Sequence, residues 1–500
     1  MNRNDAWLTF EQLAGRVDAL VAGLAALGVQ RGDRVALLDV NSPAYLECYY
    51  AAAKAGFIFV PLNSRLAAPE LNYILNDCGA KVLILSPPFF PVFESLRGQL
   101  PMIETVIAIG PGLSGARDYE DLVERGGAMA ALPAQSPAPG DIAQIYYTSG
   151  TTGEPKGVCL TYGNMTTSAM DSIVGLGLDW TDCWLHSAPL FHLVDAWAVW
   201  AMPLLGAPQV TLHFTPDHFL SAVERWKPTA TALPPTLINM ICSHPKLQSS
   251  DLSSLRLIMY GGSPMPLGIL SKAIELLPTS YMHAYGITET SAITTLLRPE
   301  NVRPRGTAEE IKITSSAGHA VVSMTIEIMD DSGNLLPDGE VGEVVVSGPR
   351  VMAKYWNKPK ATADAIRDGW YHTGDLGYFD GQRNLHIVDR KKDMIITGGE
   401  NVYSVEVESV LSTHPDIVEC AVIGIPSKEW GEAVHAVIVT RGQNAAAADD
   451  LVAYCRGKIA NYKIPKSFSF SADPLPKTGP GKIAKRQLRD AFWQDQAGRI

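Results

Sequence analysis

The chain has 500 residues, 46% of them hydrophobic and 19% charged, a balance that fits a soluble globular protein of about three structural units and excludes a disordered or fibrous one. Forty-one basic against 52 acidic side chains leave a net charge of −11, which argues against a non-specific binder of nucleic acid or anionic membrane and suits a nucleotide enzyme whose positive charge is local. Seven scattered cysteines without a C-x-x-C pair, no run of about 18 uncharged apolar residues and no signal-like N-terminus point to a cytoplasmic protein with neither a zinc site nor a transmembrane segment.

In chain order, Leu13, Val17, Leu20, Leu24 and Leu27 recur at helical spacing, and the spacing predicts an amphipathic helix over 10–27. Strand 35–38, a helix from Pro43 to Lys54, strand 58–60, helix 69–77 and strand 82–85 follow. The alternation resumes with strand 210–212, a helix from Pro216, and strands 230–232 and 257–260. Strands alternating with helices of this length predict parallel α/β sheets. Short alternating segments with turn signals over 320–350 predict a small β-rich unit. After Asp389 the pattern predicts helix 403–412, strands 419–425 and 433–440, helix 449–460 and strand 467–471, a smaller α+β domain. The expected division is residues 1–389, a hinge at 390–392 and a mobile domain over 393–500. Asp389-Arg390-Lys391-Lys392-Asp393 reads as a charged, solvated linker, and residues 126–140 read as an exposed loop.

Chemistry concentrates first in Tyr147-Thr148-Ser149-Gly150-Thr151-Thr152-Gly153-Glu154-Pro155-Lys156-Gly157-Val158, between a strand over 142–147 and another over 158–160. Glycines bring backbone N–H groups close to an oxyanion, hydroxyls add donors, and Lys156 supplies a point charge. That is the chemistry of a polyphosphate cradle; on composition alone a surface turn reads equally well. It is not the P-loop of common NTPases, because Lys156 follows Pro155 and opens no helix.

This run resembles the phosphate loop of the adenylate-forming enzymes, the acyl- and aryl-CoA synthetases, peptide-synthetase adenylation domains and luciferases. The resemblance extends from about residue 8 to about residue 490, with six motifs in family order. It implies ATP, Mg²⁺ and CoA as cofactors and a small carboxylic acid as substrate. In Tyr285-Gly286-Ile287-Thr288-Glu289 it implies an adenine platform at Tyr285, a phosphate contact at Thr288 and a metal carboxylate at Glu289, with Thr148 as the second metal-side group. Gly261-Gly262-Ser263-Pro264 would border adenine and the acyl pocket. Asp375, in Tyr371-His372-Thr373-Gly374-Asp375, would accept both ribose hydroxyls, Arg390 would be the second ribose contact and Lys392 the hinge residue. Gly398-Gly399-Glu400-Asn401 would line the pantetheine tunnel, and Lys482 would be the catalytic lysine of adenylation. His192, in Pro189-Leu190-Phe191-His192, would gate the acyl pocket; Trp430, Tyr462 and Lys463 are candidate CoA contacts.

Two departures stand out: Ser404 occupies a position where the family usually has proline, which touches helix entry, and the family's segment before Thr9 looks short. The acyl pocket is expected between 192–194, Gly261-Gly262, Ala284, Gly286-Ile287 and Ala292-Ile293, where small residues suggest a roomy apolar slot without a cation for a second carboxylate. The orientation of nearby Asp195 stays open. The expected activity is an ATP-dependent acid–CoA ligase for a medium- or long-chain fatty acid. The alternatives are a cinnamate- or benzoate-type CoA ligase, an enzyme loading a separate carrier protein, and a non-catalytic ATP-binding regulator. No nucleic-acid partner is expected, and a homodimer stays open.

Overall fold

The computed structural model describes residues 2–3, 6–129, 137–148, 154–441, 447–477 and 483–493. Two parallel-rich sheets dominate the large N-terminal domain. In the first, neighbouring strands run Lys354–Tyr355, Lys156–Thr161, Ile142–Thr148, Ile58–Pro61, Arg34–Leu38, Val82–Leu85, Thr105–Ala108 and Arg117–Asp118. The six from Ile142–Thr148 onward are mutually parallel, and the two on the other side of it pair antiparallel. The second orders Gln209–Thr211, Trp184–His186, Ala230–Leu233, Leu257–Gly261 and Ser280–Tyr285 in parallel, then adds Thr295–Leu297 and His319–Ala320 antiparallel. Strands buried on both faces read as unbroken apolar runs, and 35–38 and 82–85 are of that kind.

The helices form where the sequence sets their ends. Thr9 caps Phe10–Ala26 through the Gln12 N–H, and Leu13, Val17, Leu20 and Leu24 make its buried stripe. Pro43–Ala55 opens on proline and closes on Gly56 at φ 75°, a left-handed conformation that glycine adopts without a Cβ clash. This helix and Tyr162–Leu176 contribute to one apolar core reaching both sheets, with Tyr45, Tyr49 and Phe59 from one side and Trp184 and Trp197 from the other. Residues 126 and 127 end the helix Tyr119–Gly127 instead of opening a loop. Gly126 is buried so closely that a Cβ there would sit 1.9 Å from the Ala19 carbonyl oxygen.

The β-rich unit is a five-stranded antiparallel sheet: Thr325–Met329, Gly342–Ser347, Trp370–Phe379 and Ile366–Arg367, with Leu385–Arg390 also on Trp370–Phe379. A smaller C-terminal domain follows. Its sheet orders Glu400–Val402, Ile395–Thr397, Gly431–Thr440 and Ile417–Ser427, with Ser467–Ser471 parallel to Gly431–Thr440. Its own apolar core includes Val407, Leu411, Val422, Val434 and Leu451. The helix expected over 449–460 is Ala448–Cys455, because the chain leaves helical geometry at Arg456 and turns through Gly457 at φ 76°.

Candidate active site

Antiparallel pairing of Trp370–Phe379 with Leu385–Arg390 sets Asp375 opposite Arg390. Arg390 Nε lies 2.7 Å from Asp375 Oδ1, and Tyr285 Oη donates to Asp375 Oδ2 at 2.6 Å. Three residues singled out from separate motifs therefore meet at one carboxylate, which is 3% exposed. Asp375 holds Arg390 above the ordinary guanidinium range against the opposing effect of burial. Burial, and then Asp375, push the Tyr285 phenol well above its ordinary value, so it stays a donor.

A second link joins the end of the cradle to Glu289. Thr148 pairs with Lys156 across the hairpin of Ile142–Thr148 and Lys156–Thr161. Lys156 Nζ lies 5.0 Å over the Tyr355 ring, and Tyr355 Oη donates to Glu289 Oε1 at 2.9 Å. The Tyr371 hydroxyl is 3.4 Å from that of Tyr355, and the Met352 N–H donates to the Glu289 carbonyl at 2.8 Å. Tyr355 escapes sequence reasoning because it lies in a two-residue strand outside every motif; Tyr371 stood inside one without a role. Ser149, Gly150, Thr151, Thr152, Gly153 and Lys482 lie outside the described residues.

Gly286 and Thr288 follow Tyr285 into a tight turn, where Thr288 is 9% exposed. A Cβ on Gly286 would fall 1.6 Å from the Ala292 carbonyl oxygen, and one on Gly261 2.1 Å from that of Ala284. These two glycines make room for backbone rather than for substrate. A small cavity beside them is lined by Pro189, His192, Val194, Pro234, Gly262 and Ser263, next to Pro264. Val194 narrows it, since a Cβ on Gly262 would meet Val194 Cγ2 at 2.9 Å. His192 caps the helix Leu193–Ala196 by accepting the Val194 N–H on Nδ1 at 3.0 Å, so a neutral ring carries its proton on Nε2. Asp195 turns into the interior, where it accepts from Trp184 Nε1, His186 Nδ1 and the Ala188 N–H at 2.8, 2.9 and 3.0 Å.

The segment 389–393 is solvated only in part: Asp389 is buried against Ser404 and half-buried Arg390 pairs with Asp375, whereas Lys391 and Lys392 are exposed, Lys391 pairing with Asp331 and Glu343. Partial desolvation by neighbouring residues lowers the Lys392 ammonium from its ordinary range although the residue is exposed. On the C-terminal domain the Gly398 N–H donates to the Trp430 carbonyl at 2.8 Å, and a Cβ on Gly398 would press on Trp430 Cε3 at 2.8 Å. Trp430 is 43% exposed, so it is not core. Gly399, Glu400 and Tyr462 are exposed as well, while Lys463 pairs with Glu406 at 2.7 Å. Among the described residues no group of three or more His, Cys, Asp or Glu could hold a metal alone. One carboxylate, Glu289, fits Mg²⁺, which binds through one or two carboxylates plus substrate phosphates.

A site of this kind on two parallel-rich sheets with a small C-terminal domain defines an adenylate-forming enzyme. The profile of the AMP-binding enzyme family matches residues 1–356, and that of its C-terminal domain matches 406–482. A feruloyl-CoA synthase of Amycolatopsis is 41% identical over 97% of this chain and 94% of its own. The fatty acid–[acyl-carrier-protein] ligase ScoC of Streptomyces coeruleorubidus is 35% identical over 99% and 93%. Among solved structures, the anthranilate CoA ligase AuaEII in complex with anthranoyl-AMP superimposes with a TM-score of 0.88 at 30% identity, covering 98% of this chain and 93% of that one. The chain belongs to the AMP-binding enzyme family. Its activity class is that of an acyl-CoA synthetase, an AMP-forming acid–thiol ligase that uses ATP and CoA.

Proposed function

We propose that the enzyme activates an aromatic carboxylic acid, of the benzoate or arylpropenoate type, as its acyl-adenylate and passes the acyl group to CoA. The observation that carries the activation step is the convergence of Tyr285 and Arg390 on Asp375. Asp375 is the ribose acceptor, Arg390 its fixed partner, and the Tyr285 face is the adenine platform. Lys156, Thr148 and residues 149–153 hold the phosphates. Glu289, oriented by Tyr355, and Thr148 would hold Mg²⁺, which when bound neutralises phosphate charge. The acid's carboxylate is the nucleophile: it attacks the α-phosphorus, and the bond to pyrophosphate breaks. Lys482 meets the charge developing there. Then the C-terminal domain turns about Lys392, Gly398-Gly399 line the path of the thiol, and the CoA sulfur attacks the acyl carbon, releasing AMP.

Supporting the aromatic reading over the fatty acid that the sequence alone favoured are the narrowing by Val194 and the rigid walls at Pro189 and Pro234, which suit a flat group. The similarity to feruloyl-CoA and anthranilate CoA ligases points the same way. Similarity to ScoC keeps a fatty acid and a carrier-protein acceptor as the second reading. The test is a screen of benzoic, cinnamic, ferulic and C8–C16 fatty acids for AMP release with CoA present. The reading requires kcat/KM for an aryl acid at least about tenfold above that of any fatty acid, a gap of about 1.4 kcal/mol. A preference for fatty acids overturns it.

A further inference from the structure

Ser404 opens the helix Ser404–Leu411 of the C-terminal domain and is fully buried. Its backbone N–H and its Oγ both donate to Asp389, the hydroxyl at 2.8 Å from Oδ2 and 3.0 Å from Oδ1. Asp389 is the penultimate residue of the strand Leu385–Arg390, and it also accepts the Arg390 N–H at 2.7 Å. The hydroxyl of Ser404 in turn accepts from Lys485 Nζ at 2.6 Å, and Lys485 pairs with Glu408 at 2.7 Å. One helical turn further along Lys485–Trp493, Arg489 Nη1 donates to the Lys392 carbonyl at 3.2 Å and lies 3.3 Å from Asp393 Oδ1. The far end of that helix is fixed to its own domain by Trp493 Nε1, which donates to the Gly424 carbonyl at 3.1 Å.

We propose that Ser404 and Arg489 are positioning residues that clamp the hinge, holding the C-terminal domain in its present orientation and tying that orientation to the ribose contact Arg390. Asp389 stands before the hinge and Ser404 travels with the domain, so a turn about Lys392 separates that pair, while Arg489 braces the pivot itself at the Lys392 carbonyl and Asp393. In the present orientation the Gly398-Gly399 turn is exposed beside half-exposed Ile396, so the clamp favours the orientation in which this loop is not engaged in the thiol path. This proposal rests on the two-orientation reading given above.

Ser404→Pro is the variant of choice. The position is the first of its helix, where proline is well tolerated, and the preceding Tyr403 has φ −83° and ψ 116°, the extended geometry that proline requires before it. It removes both donors to Asp389; Ser404→Ala removes one, and Arg489→Met releases the second contact. With one spin label on each domain, the distance distribution of the full chain is measured without ligand and with MgATP. Each lost hydrogen bond is expected to raise the population of the turned orientation relative to the present one about three- to tenfold, with Pro exceeding Ala. Rates of pyrophosphate release with ferulate, and of thioester formation from supplied feruloyl-AMP, are expected to shift in favour of the second. Unchanged distance distributions in folded Ser404→Pro and Arg489→Met overturn the clamp. Lys482→Ala separates the two ideas: if it removes only the first half-reaction while the clamp variants do nothing, the two-orientation reading stands and the clamp falls. If it removes both half-reactions equally, the reading itself falls.

Discussion

Asp375 accepts from a cation and a phenol at once, and a buried carboxylate with both partners in place is aimed in one direction. Asp375→Asn keeps the shape but weakens acceptance from Arg390 and, under the proposed assignment, from ribose. A charged hydrogen bond contributes about 1.5–3 kcal/mol, so KM for ATP is expected to rise roughly tenfold to a hundredfold while KM for CoA holds. Tyr285→Phe removes one neutral donor and should cost about three- to tenfold in the same constant. Steady-state kinetics with each substrate varied in turn decides it; equal effects on the two constants contradict the assignment. The identity of these residues was legible in the sequence, because each stands in a short motif of unusual composition. Their convergence was not, since it depends on the strand register that sets Asp375 across from Arg390. Tyr355 was illegible for a related reason: its role comes from an antiparallel pairing with Val158, far away in the chain.

At the scale of elements, strong periodicity carried most of the fold. The helix Phe10–Ala26 and the strands Arg34–Leu38 and Val82–Leu85 fall where apolar spacing put them. Errors came where backbone geometry outranks pattern, as at Gly126 under the Ala19 carbonyl and at Gly457, where the chain turns after the helix Ala448–Cys455. The charged segment 389–393 misled for another reason: every polar group in a linker reads as solvated until its partners, here Ser404, Asp375 and Arg489, are in view. The turn after Ser280–Tyr285 gives an element-scale prediction. Gly286→Ala forces a methyl onto the Ala292 carbonyl, displacing the turn that carries Glu289. Overpacking of this kind costs about 1–3 kcal/mol. A thermal melt should show that loss together with a rise in the Mg²⁺ concentration needed for half-maximal binding of ATP. A normal melting temperature with unaltered Mg²⁺ dependence contradicts this packing.

Across the whole molecule, one described histidine in each domain has its titration shifted by desolvation. Burial lowers His283 in the N-terminal domain and His435 in the C-terminal domain below the ordinary histidine range. A histidine whose folded pKa lies under its unfolded value near 6.5 adds stability that is complete above that value and is lost as pH falls through the folded one. Melting temperature should therefore fall between pH 7 and 5, and His435→Gln, with an amide in place of the ring that bonds Ser467 and Ser469, should fall less steeply. A variant slope equal to that of the parent contradicts the assignment. The two-domain design gives a kinetic counterpart. Lys482→Ala is expected to abolish acyl-AMP formation and spare thioester formation from supplied acyl-AMP, whereas a bulky residue at Gly399, whose φ is 86°, should do the reverse. Single-turnover assays of each half-reaction check both.

The activation chemistry is tested most directly by isotope transfer. With a carboxylic acid substrate labelled with ¹⁸O in both carboxyl oxygens, attack of carboxylate on the α-phosphorus, followed by cleavage of the acyl–oxygen bond by CoA, must leave one ¹⁸O in the AMP released. Mass spectrometry of that AMP should show one labelled oxygen per turnover. Unlabelled AMP, or ¹⁸O appearing in inorganic phosphate beside ADP, would contradict the account.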